Sequence, residues 1–262
     1  MKRILAALIW SVLAFDAQGA TRLPADPEAL AGAMQGKRIV LLGEVHDNAM
    51  QHALRAQALR RYVQSGARPA IAFEQFDRGA QDAIDRARRE RPGDVDYLVA
   101  QANGAPTWRW EFYKPFVALA LEYDLPIVAA NLARADAMKA ATAPAMTDAP
   151  AALVRAQEAA VRKGHCDLLP AEAIPGMARA QIERDRTLAQ AIAPYAGRGI
   201  VLLTGNGHAR NDMGVPRWLS EPSTSIALIE DDREATGFDY YVVTDPADRP
   251  DPCEELRKRF KR

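Results

Sequence analysis

The chain has 262 residues, of which 48% are apolar and 26% are charged, a composition typical of a globular protein with a sizeable core. Lysine plus arginine and aspartate plus glutamate both number 34, so there is no basic surplus of the kind that indicates a nucleic-acid-binding protein. The two cysteines show no CxxC spacing, which excludes a zinc knuckle and a thioredoxin motif.

The N-terminus has the pattern of a cleaved secretory signal, residues 1–19. Lys2 and Arg3 precede an apolar stretch of 12 residues (4–15), too short for a membrane-spanning helix, which needs about 20 residues. Small residues allow cleavage after Gly19, with Ala20 as a second position, and no lipid-accepting cysteine follows the apolar stretch. The sequence therefore predicts a periplasmic or secreted protein without a stable transmembrane anchor; an uncleaved anchor is the alternative.

Six short runs rich in β-branched residues predict strands at 38–42, 69–73, 126–130, 199–203, 225–229 and 239–243. The first four are apolar throughout, as in parallel strands that are covered on both faces. A helical pattern over 49–64 follows the first strand, with Asn48 at the N-cap position and Gln51 as its partner. The predicted fold class is α/β, with a mostly parallel central sheet flanked by helices.

Two connections, residues 77–125 and 132–196, are too long for plain crossovers. The first contains an aromatic cluster at 108–113, and the second ends in a long amphipathic helix at 177–195. Both follow the carboxyl ends of core strands, where open α/β sheets bind their ligands. We expect them to form a helical cap over that end of a single domain, residues 20–245, followed by a polar tail at 246–262.

Polar side chains follow four of the predicted strands. Glu44 and His46 follow the first strand, Glu74 the second, Arg134 the third and His208 the fourth. The first and fourth strands both continue as Gly-x-x-His, so His46 and His208 should meet if these strands are neighbours. The sequence therefore predicts one polar site at the carboxyl end of the sheet.

Two chemistries suit this site. His46, His208 and Glu74 could ligate a divalent zinc, manganese or iron ion, with a spare glutamate as base in hydrolysis of an ester or peptide bond. Without a metal, the same groups could act as an acid–base pair, with Arg134 or Arg210 holding an anion. The alternative for each residue alone is a helix cap or a structural hydrogen bond.

Three further residues are candidates for binding a cofactor. His165, in a break between two predicted helices, could hydrogen-bond a ligand carboxylate or simply end a helix. Tyr113 and Tyr97 could ligate the iron of a haem through their phenolate oxygens, although aromatics at helical spacing are usually core residues. Cys166 and Cys253 are expected to form a disulfide in an exported protein, with a free thiol near a ligand as the alternative.

The combination of these motifs resembles a known family. The segments "LLGEVHDN", "AFEQFDR", "GHCDLLP" with "ARAQIERDRTLAQAI", and "TGNGHARNDMGVPRWL" are similar in kind and order to those of ChaN-like haem-binding uptake proteins, over roughly residues 30–230. That family belongs to the Tiki/TraB/erythromycin-esterase superfamily. The resemblance implies a parallel α/β core with a helical cap, export, and haem bound at a homodimer interface.

The resemblance also implies roles for particular residues. The family holds its haem by a tyrosine, for which Tyr113 is the first choice in this sequence and Tyr97 the second. Superfamily relatives use paired Gly-x-x-His motifs and glutamates in hydrolysis, which would map to Glu44, His46, Glu74 and His208. We therefore expect an exported haem-binding protein for haem or iron uptake, with a metal-dependent hydrolase as the alternative.

Overall fold

The computed structural model describes residues 19–102, 108–144, 146 and 148–260, without the side chains of the last two. The predicted signal sequence lies outside the described residues, except for Gly19. In the part of the chain that is described, no helix has the length and apolar character needed to cross a membrane.

The centre of the fold is one seven-stranded sheet in which every pair of neighbouring strands is parallel, with the strand order β1-β7-β6-β2-β5-β3-β4. This confirms the predicted α/β class. The strands are β1 (Thr21–Leu23), β2 (Ile39–Leu42), β3 (Ala70–Asp77), β4 (Ile127–Asn131), β5 (Ile200–Leu203), β6 (Thr224–Ile229) and β7 (Tyr240–Val243).

Helices connect and cover the strands. They are α1 (Pro27–Met34), α2 (Ala49–Gln64), α3 (Gln81–Glu90), α4 (Val95–Gln101), α5 (Trp110–Glu122), α6 (Arg134–Thr142), α7 (Ala151–Gly164), α8 (Ala173–Ile192), α9 (Asn206–Ala209) and α10 (Pro252–Phe260). Helix α2 has the predicted bounds because the Asn48 side chain caps its start, accepting a hydrogen bond from the Gln51 amide at 3.1 Å.

The six strands predicted from runs rich in β-branched residues are present. Of the four runs that are apolar throughout, β2 and β5 are buried along their whole length, because apolar residues serve both faces. The strand β1 was not predicted, because its three residues are mostly exposed and carry no apolar pattern. It joins the edge of the sheet through parallel pairing with β7.

The two sheet faces have separate cores. On one face α1 to α5 pack together, with Leu59 of α2 and Phe116 of α5 both fully buried. On the other face the second half of α8 packs on the sheet through Leu188 and Ile192, while its first half packs on α7. The first long insertion therefore mainly covers a sheet face, and the second supplies the helices that extend beyond the sheet.

Three neighbouring strands, β2, β5 and β3, determine where the chain leaves the sheet. Leu203 at the end of β5 lies level with Leu42 of β2 on one side and with Phe73 of β3 on the other. The residues that follow them therefore emerge side by side at the carboxyl edge. The expected adjacency of the first and fourth predicted strands, β2 and β5, is confirmed.

The C-terminal tail is fastened to the domain by a disulfide between Cys166, just after α7, and Cys253 in α10, with 5.6 Å between their Cα atoms. Of the two alternatives for the cysteines, the disulfide is the one observed. It places the first turn of α10, which belongs to the tail, beside the end of α7.

Replacing Cys253 with serine should lower the free energy of unfolding by about 4 kcal/mol, because the bond restricts the unfolded chain over a sequence separation of 87 residues. Urea denaturation of the oxidised protein measures the loss. The Cys166→Ser/Cys253→Ser double variant should match the single variant. Equal stability of wild type and Cys253→Ser would contradict the expectation.

Candidate functional site

The carboxyl edge of the sheet opens into a cavity of about 780 Å³, a size common for ligand sites. Loops after β2 and β5 form its floor, α7 and α8 form a wall, and the C-terminal tail closes part of the rim. The lining residues are Glu44, Val45, His46, Asp47, Gln157, Ala160, Val161, Gly164, His165, Gln181, Gly205, Asn206, Gly207, His208, Met213, Glu234, Arg249 and Pro252.

The Glu44 carboxylate is the centre of a buried network beneath this floor. It is 2% exposed and accepts a hydrogen bond from the Tyr113 hydroxyl at 2.6 Å. It also forms an ion pair with Arg55, which is fully buried, and its oxygens lie 3.0 Å from His46 Nδ1 and 3.2 Å from His52 Nδ1. Four side chains from three segments thus converge on one carboxylate.

Burial changes the protonation behaviour of this network. It lowers the pKa of Arg55 to about 10, although the nearby Glu74 carboxylate favours the cation. It lowers the pKa of His52 to about 4, so that imidazole is neutral at physiological pH. It raises the pKa of Tyr113, and the phenol stays protonated and serves as a donor to Glu44.

The position of His46 depends on a glycine. A β-carbon at position 205 would lie 2.8 Å from both Nε2 and Cε1 of His46, so only glycine lets the imidazole rest there. Trp108 also contacts this ring edge-on, with 5.0 Å between ring centroids. The loop after β5 and the aromatic cluster of the first insertion together hold this imidazole at the cavity floor.

His208 lies between two carboxylates. Its Nδ1 is 2.6 Å from an oxygen of Asp185, and its Nε2 is 3.7 Å from an oxygen of Glu74. The other Glu74 oxygen accepts hydrogen bonds from the Thr204 hydroxyl at 2.6 Å and from the Gly205 amide at 2.8 Å. The second oxygen of Asp185 accepts one from Gln157 at 3.0 Å.

This arrangement favours a charged imidazole. Burial opposes the cation, but the carboxylates of Glu74 and Asp185 outweigh it and raise the pKa of His208 to about 9. Burial likewise opposes the Glu74 carboxylate, yet His208, His46 and the donors Thr204 and Gly205 lower its pKa to about 2. The cavity floor therefore presents an imidazolium held by two carboxylates.

The structure brings together Glu44, His46, Glu74 and His208, as the strand ends predict, and His165 lies across the cavity at the end of α7. Arg134 and Tyr97 are elsewhere. Arg134 begins α6 and lines a separate cavity of about 260 Å³. The Tyr97 hydroxyl donates to Glu90 at 2.6 Å on α3, outside the site.

The predicted divalent metal site at His46, His208 and Glu74 is not supported. Among the described residues, no group of three His, Cys, Asp or Glu side chains has an arrangement that could hold a metal ion. The physical reason is the pairing of these groups, since His208 Nδ1 donates to Asp185 at 2.6 Å and one Glu74 oxygen accepts from both the Thr204 hydroxyl and the Gly205 amide.

Sequence reasoning missed the buried partners Asp185 and Arg55. Both lie at core positions of amphipathic helices, Asp185 between Ile182 and Leu188 in α8, and Arg55 beside Leu54 in α2. A charged residue within an apolar stripe was the available signal, because such a residue is tolerated there only when it has a partner.

Fold and site together define a class of protein: a parallel α/β domain whose carboxyl edge holds a ligand-sized cavity lined by imidazoles, carboxylates and apolar side chains. A family model described as haem-binding uptake, Tiki superfamily, ChaN matches residues 30–219. The chain therefore belongs to the ChaN family of haem-binding uptake proteins, which confirms the resemblance of its motifs.

A solved structure shares this fold. ChaN of Campylobacter jejuni, described for cofacial haem binding, is 18% identical with a TM-score of 0.71, over 82% of this chain and 90% of that one. The type III effector HopBA1 is 13% identical with a TM-score of 0.49, over 84% and 94% of the two chains. No curated protein matches the chain.

Replacing Glu44 with glutamine should destabilise the protein by about 3–5 kcal/mol, because it leaves the Arg55 cation buried without a counter-charge. Urea denaturation measures the change. The Glu44→Leu/Arg55→Met double variant removes both charges and should recover part of the loss. A Glu44→Gln variant within about 1 kcal/mol of wild type would refute the role of the pair.

Because His208 is charged, its contribution to the stability of the protein should depend on pH. Its pKa is raised from 6.5 to about 9, so the stabilisation is fully present below about pH 6.5 and is lost as the pH rises through about 9. Histidine NMR titration should show this pKa, and Asp185→Asn should lower it. A value near 6.5 in the wild-type protein would exclude the charged imidazole.

Proposed function

We propose that this chain binds haem in the cavity at the carboxyl edge of its sheet, as part of haem or iron uptake. The observation that carries the proposal is the cavity of about 780 Å³ with His46, His165 and His208 on its walls, in a chain of a haem-binding family. Imidazoles are common ligands of haem iron.

The chemistry of the cavity walls suits haem. A porphyrin is a flat apolar molecule with two carboxylates, so its site needs both apolar contacts and cations. Val161, Met213 and Pro252 supply apolar surface, while the His208 imidazolium supplies a positive charge for a propionate. When bound, haem would contribute an iron centre with open coordination positions, and the chain's residues would hold and orient it.

Export and self-association complete the proposed role. The basic and apolar N-terminal stretch supports transport out of the cytoplasm as a periplasmic or secreted protein, and the disulfide suits an oxidising compartment. We further propose a homodimer with the haem at the interface. Light scattering of the purified protein with and without haem tests the dimer, and N-terminal sequencing of the exported protein tests the cleavage after Gly19.

A hydrolase is the second candidate, favoured by the Glu44–His46 pair. The carboxylate lies 3.0 Å from His46 Nδ1 and fixes that nitrogen as a donor, so Nε2 could act as a general base toward water. The neighbouring His208 imidazolium would stabilise a developing oxyanion. Ester hydrolysis that is lost in His46→Ala and unaffected by chelators would support this function; no hydrolysis by the wild-type protein would count against it.

Filling the cavity should prevent haem binding. Ala160 on α7 lines the cavity, whereas the adjacent Ala159 is exposed on the same helix. Ala160→Trp should therefore weaken haem binding at least about tenfold in an absorbance titration. The indole ring would fill the cavity and remove apolar contact area between haem and the cavity walls. Ala159→Trp is the matched control and should bind like wild type.

If wild-type protein produces no Soret shift with micromolar haem, the proposed function fails. Equal haem affinities of Ala160→Trp and Ala159→Trp would instead show that haem binds outside this cavity.

A further inference from the structure

A second cavity, the α6–α8 cleft, lies between these two helices, apart from the cavity at the carboxyl edge of the sheet. Its volume of about 260 Å³ is below the range of about 300–1,000 Å³ that is usual for the pockets of drug-sized ligands, so it suits a smaller molecule. Gln181 of α8 contributes to the walls of both cavities. The proposed function gives this second cleft no role.

One wall of the α6–α8 cleft is a single face of α6. It consists of Arg134, Ala137, Met138 and Ala141, whose spacing of three or four residues places them on the same side of the helix. Met138 is 58% exposed, the most exposed large apolar side chain among the described residues. Covering this side chain with an apolar ligand would remove its surface from water, which favours binding.

The opposite wall repeats this spacing on α8. It consists of Met177, Ala180, Gln181 and Arg184. Each wall therefore combines one arginine, one methionine and at least one small alanine. Methionine side chains are flexible and polarisable, so they adapt to apolar ligands of different shapes.

Contacts at both ends of the cleft fix the two helices in an antiparallel orientation. Just before α6, the side-chain oxygen of Asn131 accepts a hydrogen bond from Arg184 Nη1 at 2.9 Å. Near the end of α6, the carbonyl oxygen of Ala141 accepts one from Arg179 Nη2 at 2.7 Å. A β-carbon at position 176 would lie 2.7 Å from the same oxygen, so Gly176 lets the helices approach closely there.

The antiparallel orientation gives the cleft two different ends. Arg134, the first residue of α6, lies at the end where Arg184 bonds to Asn131. Met177 follows Gly176 and lies toward the other end. One end of the cleft is therefore cationic, and the remainder is mainly apolar.

The protein does not neutralise the positive charge at the cationic end. Arg134 forms no hydrogen bond or ion pair with any described residue. Arg184 uses only Nη1 in its hydrogen bonds with described residues, and both acceptors are neutral oxygens. Arg210, the other arginine that the sequence indicated for holding an anion, is instead paired with Asp212 at 2.6 Å.

Two neighbouring carboxylates do not take the place of a bound anion. Asp136 of α6 pairs with Lys139 at 2.8 Å. Burial raises the pKa of Asp77 against the opposing charge of Arg184, and this carboxylate does not line the cleft. The two guanidinium groups are therefore open to an anion from outside the protein.

We propose that the α6–α8 cleft is a second ligand site, which binds a small apolar acid. The carboxylate of the ligand lies between Arg134 and Arg184, because the N–H groups of a guanidinium match the two oxygens of a carboxylate. The hydrocarbon part lies between the helices against Met138 and Met177. This site does not depend on haem binding, so either proposal can fail without the other.

Octanoate is the probe for this site, because it joins one carboxylate to a flexible hydrocarbon chain. Isothermal titration calorimetry of the wild-type protein should show saturable binding of octanoate. Octylammonium, which has the same chain with a positive head group, should not bind. Arg134→Gln removes an exposed guanidinium and should weaken octanoate binding about tenfold or more, since charge-assisted hydrogen bonds are lost.

Arg155→Gln is the matched control for this substitution. Arg155 is an exposed arginine on the neighbouring helix α7 and lines neither cavity. The variant changes the net charge of the protein by the same amount and should bind octanoate like wild type.

Nuclear magnetic resonance of ¹³C-labelled methionine methyl groups locates the ligand in the wild-type protein, without relying on the folding of a variant. Octanoate should shift the resonances of Met138 and Met177. Met50 is the internal control, because it is also exposed but lies on α2, which packs on the opposite face of the sheet from α8. Its resonance should not move.

The second site is overturned if wild type shows no saturable binding of octanoate at millimolar concentration, or if Arg134→Gln binds octanoate as tightly as Arg155→Gln does. It is also overturned if octanoate leaves Met138 and Met177 unshifted. Repeating the titration with haem-loaded protein separates the two cavities. Unchanged octanoate affinity supports a separate site, whereas loss of octanoate binding would assign the two arginines to the haem propionates and overturn it.

Discussion

The site depends on one constraint, the shared register of the neighbouring strands β2, β5 and β3. Leu42, Leu203 and Phe73 lie level with one another in their strands, so the chain places Glu44, Glu74 and the loop of His208 along one edge. A slip of one residue would exchange the two faces of a strand and move these side chains apart. The buried apolar side chains of β2 and β5 fill the cores on both sides of the sheet.

Around that edge the protein separates two kinds of electrostatic environment. The Glu44 carboxylate pairs with the Arg55 cation in the protein interior. The His208 imidazolium is instead held at the cavity surface by Asp185 and Glu74. The first pair maintains the floor and the second presents charge to a ligand.

The sequence was informative where one segment alone determines the structure. Short runs rich in β-branched residues predicted six strands, and Asn48 predicted the start of α2, because strand propensity and capping are local properties. The positions of side chains in three dimensions were harder to predict from the sequence. The helix phase of α5 turns Tyr113 inward to Glu44, and nothing in the aromatic run at 108–113 shows this. Likewise, the polar composition of the tail gave no sign that Arg249 and Pro252 line the cavity.

The disulfide has a consequence for traffic through the cavity. It clamps the tail to the end of α7, so the rim on that side cannot widen while the covalent bond is intact. Reduction of this bond would release Arg249 and Pro252 from that rim, so the width of the opening would depend on the redox state of the two cysteines.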